Sequence, residues 1–84
     1  MHDLHAADKI LKLVLEKAEE NKLNIVKKIV IELGSVIEHG DEINAENLAF
    51  NIKLLAKNSI AKKVEVIINK VKGENWKLIE IEGD

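Results

Sequence analysis

The residues best suited to chemistry are the first three, Met1, His2 and Asp3. A free α-amine has an ordinary pKa of about 7.7 to 8.0, so a metal ion can displace its proton near neutral pH. The His2 imidazole is adjacent to that amine, and the backbone nitrogens of His2 and Asp3 can join as ligands once deprotonated. A planar set of nitrogen ligands suits nickel(II) or copper(II) rather than calcium or magnesium, and intrinsic affinity favours copper. The residues therefore indicate a metal site, with an inert terminal histidine as the alternative.

Two further histidines are weaker candidates for metal ligands. His5 follows His2 by three residues and could reach the same ion, but it could equally be a solvated residue at the start of a helix. His39 lies among acidic residues in a segment that could hold a second weak metal or contact a partner, or could simply be a charged surface loop. These acidic neighbours are Glu38, Asp41 and Glu42. The sequence leaves both alternatives open, and we count His5 as an additional candidate ligand.

Composition excludes several classes of protein. The 84 residues are enough for one domain, and cysteine is absent, which excludes disulfides and thiolate zinc sites. Thirteen lysines and 15 acidic residues give a net charge of −2, and the chain has only two aromatic residues. It therefore lacks the excess positive charge and the stacking aromatic side chains that are typical of nucleic-acid binding proteins. Apolar runs are too short for a transmembrane helix, and the N-terminus lacks the pattern of a signal peptide. We expect a cytoplasmic protein that is not an enzyme, since no serine, histidine or carboxylate motif of catalysis is recognisable.

Hydrophobic periodicity predicts the elements. We expect a single α+β domain over residues 1–84, in which two helices pack on one face of a small three-stranded mixed sheet to make a two-layer sandwich. The order is helix, strand, helix, strand, strand, with a parallel crossover and an antiparallel hairpin. The predicted segments are helix 4–21, strand 25–33, acidic loop 34–44, helix 45–57 capped by Asn44, strand 64–69, hairpin turn 72–75 and strand 76–82. Asn58 is expected to end the second helix in the left-handed conformation.

Alternation along the strands predicts which side chains face the helices. One set fills that face: Ile29, Ile31, Leu33, Val64, Val66, Ile68, Ile79 and Ile81. Val30, Ile67, Trp76 and Leu78 would then form an apolar patch on the opposite face, through which we expect the chain to form a homodimer or to dock, with a small patch tolerated by a charged monomer as the alternative. On the second helix, Phe50 and Leu54 are expected to pack against the first helix, with a docking patch as the alternative.

The opening Met1-His2-Asp3-Leu4 resembles the Met-His-Glu-Leu start of HypA-type nickel metallochaperones. The likeness continues through the first helix and strand and resumes in Glu46-Asn47-Leu48-Ala49-Phe50, Leu54-Leu55-Ala56-Lys57, Ser59-Ile60-Ala61 and Leu78-Ile79-Glu80-Ile81-Glu82. The resemblance implies nickel(II) as the metal and Met1 and His2 as its ligands, with Asp3 at the position of the family's glutamate. It also implies a role in hydrogenase maturation, with a nickel-handling GTPase and the hydrogenase large subunit as partners.

The sequence departs from that family in two places. Family members carry a zinc lobe with paired Cys-x-x-Cys motifs between the last two strands, whereas residues 72–75 join those strands here and no cysteine exists. We therefore expect no zinc. The loop 34–44 also differs, with His39 and extra charge in place of a more apolar segment. An alternative function follows from these differences, namely a protein-interaction module that has kept the fold and lost metal delivery.

Overall fold

The computed structural model describes residues 4–38 and 40–84. Its helices are α1, Leu4–Glu20, and α2, Ala45–Leu55, which a 3₁₀ turn extends over Ala56–Asn58. Its strands are β1, Val26–Leu33; β2, Ile37–Glu38; β3, Asp41–Glu42; β4, Glu65–Lys70; and β5, Trp76–Gly83. The predicted α+β sandwich is confirmed, because both helices pack on a three-stranded mixed sheet. Neither described helix is long and apolar enough to cross a membrane.

Helix α1 forms because small and branched apolar residues recur on one side, and the whole of that stripe is buried. It comprises Ala7, Ile10, Leu11, Val14 and Ala18. The helix ends in a Schellman motif, in which Lys22 adopts the left-handed conformation with φ 58°. The Leu23 N–H donates to the Ala18 carbonyl at 2.9 Å, and the Lys22 N–H donates to the Glu19 carbonyl at 3.1 Å.

Helix α2 begins as predicted at Asn44, whose side-chain oxygen accepts hydrogen bonds from the backbone N–H groups of Glu46 and Asn47 at 2.8 and 3.2 Å. The predicted left-handed Asn58 is wrong, since Lys22 is the non-glycine residue with positive φ in the described part of the chain. The predicted loop 34–44 is also more ordered than expected, because β2 and β3 pair there as a short antiparallel ribbon. Ile43, at the end of this segment, is fully buried in the core.

The strand order corrects the predicted hairpin. β4 pairs with β1 in parallel and β5 pairs with β1 in antiparallel orientation, so β4 and β5 lie on either side of β1 and do not pair with each other. Residues 71–75 must therefore cross two strand spacings, about 9.6 Å, which is within the reach of five residues, about 16 Å. The link crosses the end of β1, where the Gly34 N–H donates to the Asn75 carbonyl and the Ser35 N–H donates to the Gly73 carbonyl, at 2.9 and 2.7 Å. In this central position the helix-facing side chains of β1 are almost completely buried.

A β-bulge in β5 corrects the predicted faces of the sheet. Val30 lies opposite Glu80 and Ile31 lies opposite Leu78, so Ile79 is an extra residue without a partner in β1. Ile79 is 46% exposed, whereas Leu78 packs against the core, as do Trp76 and Ile81. The predicted outer patch is therefore wrong for Trp76 and Leu78, and the predicted burial of Ile79 is wrong. Strict alternation fails here because the bulge adds one residue to β5. Residues before and after the extra residue therefore no longer follow a single alternating pattern of inward and outward side chains.

The expected contact of Phe50 and Leu54 with α1 is wrong as well. These side chains are 66% and 51% exposed. Helix α2 buries Leu48, Ile52 and Ala56, which recur at four-residue intervals and form a single inward stripe. Phe50 lies about half a turn away from that stripe, at 3.6 residues per turn, so the same helix cannot bury it against α1.

Candidate metal centre

The predicted ligands Met1, His2 and Asp3 lie outside the residues that the structure describes, so this ligand set stays a prediction. The structure does describe helix α1, which directly follows these residues in the sequence. Helix α1 starts at Leu4, and the side chains of Ala6, Ala7 and Ile10 in its first two turns are fully buried. The first turn is therefore fixed to the core, immediately after the three predicted ligand residues.

The topology places this first turn at one end of the sheet. A short turn, 21–25, joins α1 to β1, so the two elements run in opposite directions. Their lengths match, because 17 helical residues span about 25 Å and eight strand residues span about 26 Å. The start of α1 therefore lies towards the end of β1, the end that also carries segments 34–44 and 71–75.

His5 is exposed in the first turn of α1. The nearest carboxylate along that helix, Asp8, forms an ion pair with Lys12 at 3.0 Å, and both side chains are largely solvated. Among residues 4–38 and 40–84, no three histidine, cysteine, aspartate or glutamate side chains come together as a metal site. The predicted additional ligand His5 therefore has no preformed cluster around it within the described part of the chain.

The acidic segment contains a polar contact that the sequence pattern did not predict. The Ser35 hydroxyl and the Glu42 carboxylate are hydrogen bonded at 3.0 Å, and the Lys70 ammonium lies 3.5 Å from the same carboxylate. Glu42 thus ties the ribbon to the end of β4 rather than serving as a free ligand. His39, the other histidine of this segment, lies outside the described residues, so its predicted role is untested.

The chemistry that the sequence predicts for this end of the molecule is metal coordination. The described side chains around it make exposed ion pairs and hydrogen bonds, and the predicted ligands upstream are an amine, an imidazole and backbone nitrogens. Such a set would hold a metal that prefers planar nitrogen coordination.

Comparison with known proteins identifies this architecture. A family described as hydrogenase/urease nickel incorporation, metallochaperone, hypA matches residues 1–76, which include all of the predicted ligands. Hydrogenase maturation factor HypA of Legionella pneumophila is 31% identical over 74 residues, which are 88% of this chain and 62% of that protein. The HypA protein of Methanobrevibacter smithii is 31% identical over 71 residues, 84% of this chain and 54% of its own length. The chain thus spans less than two thirds of the length of these relatives.

The fold agrees with that match. The solution structure of the Ni metallochaperone HypA from Helicobacter pylori superposes with a TM-score of 0.77, over 98% of this chain and 97% of that one. Sequence identity in this superposition is 12%, so it speaks for the fold alone. Because the family match covers residues 1–76, the chain belongs to the HypA family of nickel-incorporation metallochaperones.

Proposed function

We propose that this chain is a nickel-binding accessory protein for hydrogenase maturation, which holds nickel(II) at its N-terminus and passes it on. The proposed ligands are the Met1 amine, the His2 imidazole and the backbone nitrogens of His2 and Asp3, with His5 as an additional candidate. The observation that carries the proposal is the family match, which begins at residue 1 and so includes this ligand set. The metal is cargo, and no chemical turnover is proposed.

The buried first turns of α1 support this assignment physically. Ala6, Ala7 and Ile10 fix the helix start, so a metal bound by the three preceding residues would be held at a defined place on the surface. A recipient can then dock against the folded domain and find the metal beside it. This geometry suits transfer between proteins better than a site on a free tail would.

The proposed partners are those of the family, a nickel-handling GTPase and the hydrogenase large subunit, and we place the exchange in the cytoplasm. We propose that zinc has no part in it, because the chain has no cysteine and β4 is joined to β5 by the five residues 71–75. The chain spans only part of the length of these relatives.

Nickel titration of a tag-free protein with an authentic Met1 terminus tests the proposal. Binding should approach one nickel(II) per chain and give the yellow absorbance of planar, diamagnetic nickel, as expected for an all-nitrogen site. His2→Ala should abolish that absorbance, as should an N-terminal extension that converts the amine to an amide. Affinity should decline below about pH 7, because the amine and the imidazole must both lose protons.

His5→Ala and His39→Ala are the matched controls, since each removes one imidazole elsewhere in the chain. We expect both to bind nickel nearly as the unaltered protein does. Wild-type affinity in His2→Ala would reject the ligand assignment. A complete lack of nickel binding by the authentic protein would instead favour the second function, an interaction module of the same fold, to which the five-residue link and the absence of cysteine also point.

A further inference from the structure

The sheet has two edge strands, and they differ in how well they are protected from further pairing. The strand order β4-β1-β5 leaves one side of β4 and one side of β5 without a partner strand in the described part of the chain. In β5 the bulge at Ile79 interrupts the regular ladder, and bulges are a common protection of sheet edges. β4 pairs with β1 without a register shift and contains neither proline nor glycine. A further strand can therefore extend the sheet at the outer side of β4, which we call the open edge.

Alternate residues of β4 turn their backbone groups towards the open edge. The Val71 N–H donates to the Leu33 carbonyl of β1 at 3.0 Å, and successive residues of a strand direct their N–H and C=O groups to opposite sides. Counting back from Val71, the backbone groups of Lys70, Ile68 and Val66 therefore face away from β1. These three residues offer donors and acceptors in the spacing that an extended backbone matches.

The side chains in the middle of β4 are apolar and incompletely covered. Val66 and Ile68 pack against the core under the helices but are only half-buried, and Ile67 is half-buried on the outer face of the sheet. A strand added beside β4 would cover the exposed parts of all three, because directly opposite side chains of paired strands lie about 4.5–5.5 Å apart. A segment that binds here should therefore carry apolar side chains at its centre.

Lysines stand at both ends of this apolar centre. Lys62 and Lys63 precede β4, Lys70 and Lys72 lie at its end, and all four are exposed. The stretch 47–73 holds six lysines and one acidic residue, Glu65, although the whole chain carries a net charge of −2. The surroundings of the open edge are therefore cationic at its start and at its end.

The acidic residues near this edge are directed elsewhere or neutralise only one lysine. Glu65 lies opposite Lys28 on the outer face of the sheet. Glu42 pairs with Lys70 at 3.5 Å, and Glu74 lies further along the link, which runs from β4 across the end of β1 to β5. The other three lysines of the set form no ion pair with any residue in 4–38 or 40–84. Positive charge thus remains available at both ends of β4.

We propose that the open edge of β4 binds an extended acidic segment of a partner protein, which adds to the sheet as a fourth strand. The outward backbone groups determine the extended form, and the half-buried Val66 and Ile68 determine the apolar centre. The lysines before and after β4 determine the charge, because acidic residues at both ends of the segment would face them. This binding requires no metal and extends beyond the nickel function proposed above.

A second copy of the chain fits the open edge less well. Pairing of β4 with β4 of another copy, in either direction, brings one lysine-bearing end against another, and like charges opposite each other in a sheet are destabilising. Addition of β5 from another copy would join unlike strands head to tail, which does not close into a dimer, and the bulge in β5 would break the new ladder. The remaining alternative is that the lysines only keep the edge from pairing, and the experiment distinguishes it.

The test is hydrogen exchange of the ¹⁵N-labelled full chain, with chelator present, during titration with a synthetic peptide. The peptide carries three valines alternating with threonines and two glutamates at each end. Saturating peptide should slow exchange of the Val66, Ile68 and Lys70 amides on the order of tenfold or more. The Ile67 and Asn69 amides, which already bond to β1, should change little. This alternation distinguishes an added strand from attraction to the lysines alone.

Charge variants measure the contribution of the lysines. Lys63→Glu combined with Lys72→Glu reverses one charge at each end of β4, and it should weaken peptide binding on the order of tenfold at low salt and less at high salt. Lys9→Glu combined with Lys77→Glu makes the same change in net charge away from the open edge and should have little effect. A peptide with lysines in place of its glutamates should also bind on the order of tenfold more weakly.

Four outcomes would overturn the proposal. The first two are a lack of protection at saturating peptide and protection that does not alternate along β4. The third is protection of Val66 and Ile68 in the free chain that is lost on dilution, because a second copy would then occupy the edge. The fourth is equal affinity for the glutamate and lysine peptides, which would leave the lysines no role in selecting a partner. Because chelator is present throughout, these outcomes do not depend on the proposed metal site.

Discussion

The backbones of Gly34 and Gly73 lie in direct contact: a Cβ added to Gly34 would be 2.6 Å from the carbonyl oxygen of Gly73 and 2.7 Å from its carbonyl carbon. Gly34 directly follows β1, and Gly73 lies in the link between β4 and β5. The contact is therefore the point at which the link crosses the end of the central strand. Both neighbours of a new Cβ would be backbone atoms, which cannot move aside as a flexible side chain could.

We predict that Gly34→Ala destabilises the protein by about 1–3 kcal/mol, the usual cost of overpacking a close contact. The added methyl group must push the link away, and the hydrogen bonds from Gly34 to Asn75 and from Ser35 to Gly73 would lengthen. Urea unfolding followed by circular dichroism measures the change. Asn75→Ala is the control in the same link, since it keeps the carbonyl that accepts the bond; we expect a change within about 0.5 kcal/mol. Equal stability of Gly34→Ala and wild type would refute the close contact.

The bulge in β5 makes a prediction that strict alternation reverses. Leu78 packs against the core under the helices, whereas Ile79 is 46% exposed. Leu78→Ala should therefore cost about 1–3 kcal/mol, below the full range for a completely buried leucine, while Ile79→Ala should cost less than about 1 kcal/mol. The unfolding free energies of the two variants, which remove similar apolar volume from adjacent positions, decide the matter. A larger loss of unfolding free energy for Ile79→Ala than for Leu78→Ala would contradict the bulge and favour a register without it.

The sequence predicted those elements whose own residues determine them. Helix α1, strand β1 and the Asn44 cap all follow from local periodicity or capping chemistry, and they agree with the structure. The errors arise where distant parts of the chain decide. Whether β5 pairs with β4 or with β1 depends on which strand occupies the centre of the sheet and pairs on both sides. The bulge at Ile79 depends on how β5 fits against β1.

The candidate site shows the same difference between features that local sequence predicts and features that the rest of the fold decides. Local chemistry and family resemblance suggest Met1 and His2, while the position of the helix that follows them depends on the burial of Ala6 and Ala7 by the rest of the fold. The exposure of Phe50 could not be read from an apolar periodicity that allowed two faces. It required knowledge of which face of α2 the sheet and α1 occupy.

On the outer face of the sheet, a charged pair should make stability depend on pH. A hydrogen bond between the Lys28 ammonium and the Glu82 carboxylate, 2.9 Å apart, raises the pKa of Lys28 above its ordinary value of 10.5 and lowers the pKa of Glu82 below 4.5. The lowered pKa of Glu82 contributes stability above pH 4.5, and this is lost as pH falls through the folded-state value. The raised pKa of Lys28 contributes stability below pH 10.5, and this is lost as pH rises through the folded-state value.

Lys28→Gln should therefore melt below wild type at neutral pH, and the gap should close both in acid below the shifted pKa of Glu82 and in alkali above that of Lys28. Melting curves by circular dichroism from acid to alkali would measure it. The pair is solvated, so high salt should shrink the gap. Lys9→Gln, an equal loss of charge on α1, is the control and should show no such closing. A gap for Lys28→Gln that persists unchanged in strong acid would contradict the role of Glu82.

The last prediction concerns the coupling of metal to folding. The core comprises only apolar side chains among the described residues, so chelator should leave the melting curve as it was. Nickel should also shift that curve little. The proposed ligands are three consecutive residues at the terminus, which the unfolded chain can present almost as well as the folded one, and a ligand that binds both states equally does not stabilise either. Calorimetric melting with and without saturating nickel tests this. A rise of several degrees would mean that the folded domain supplies a further ligand, and loss of that rise in His5→Ala would identify it.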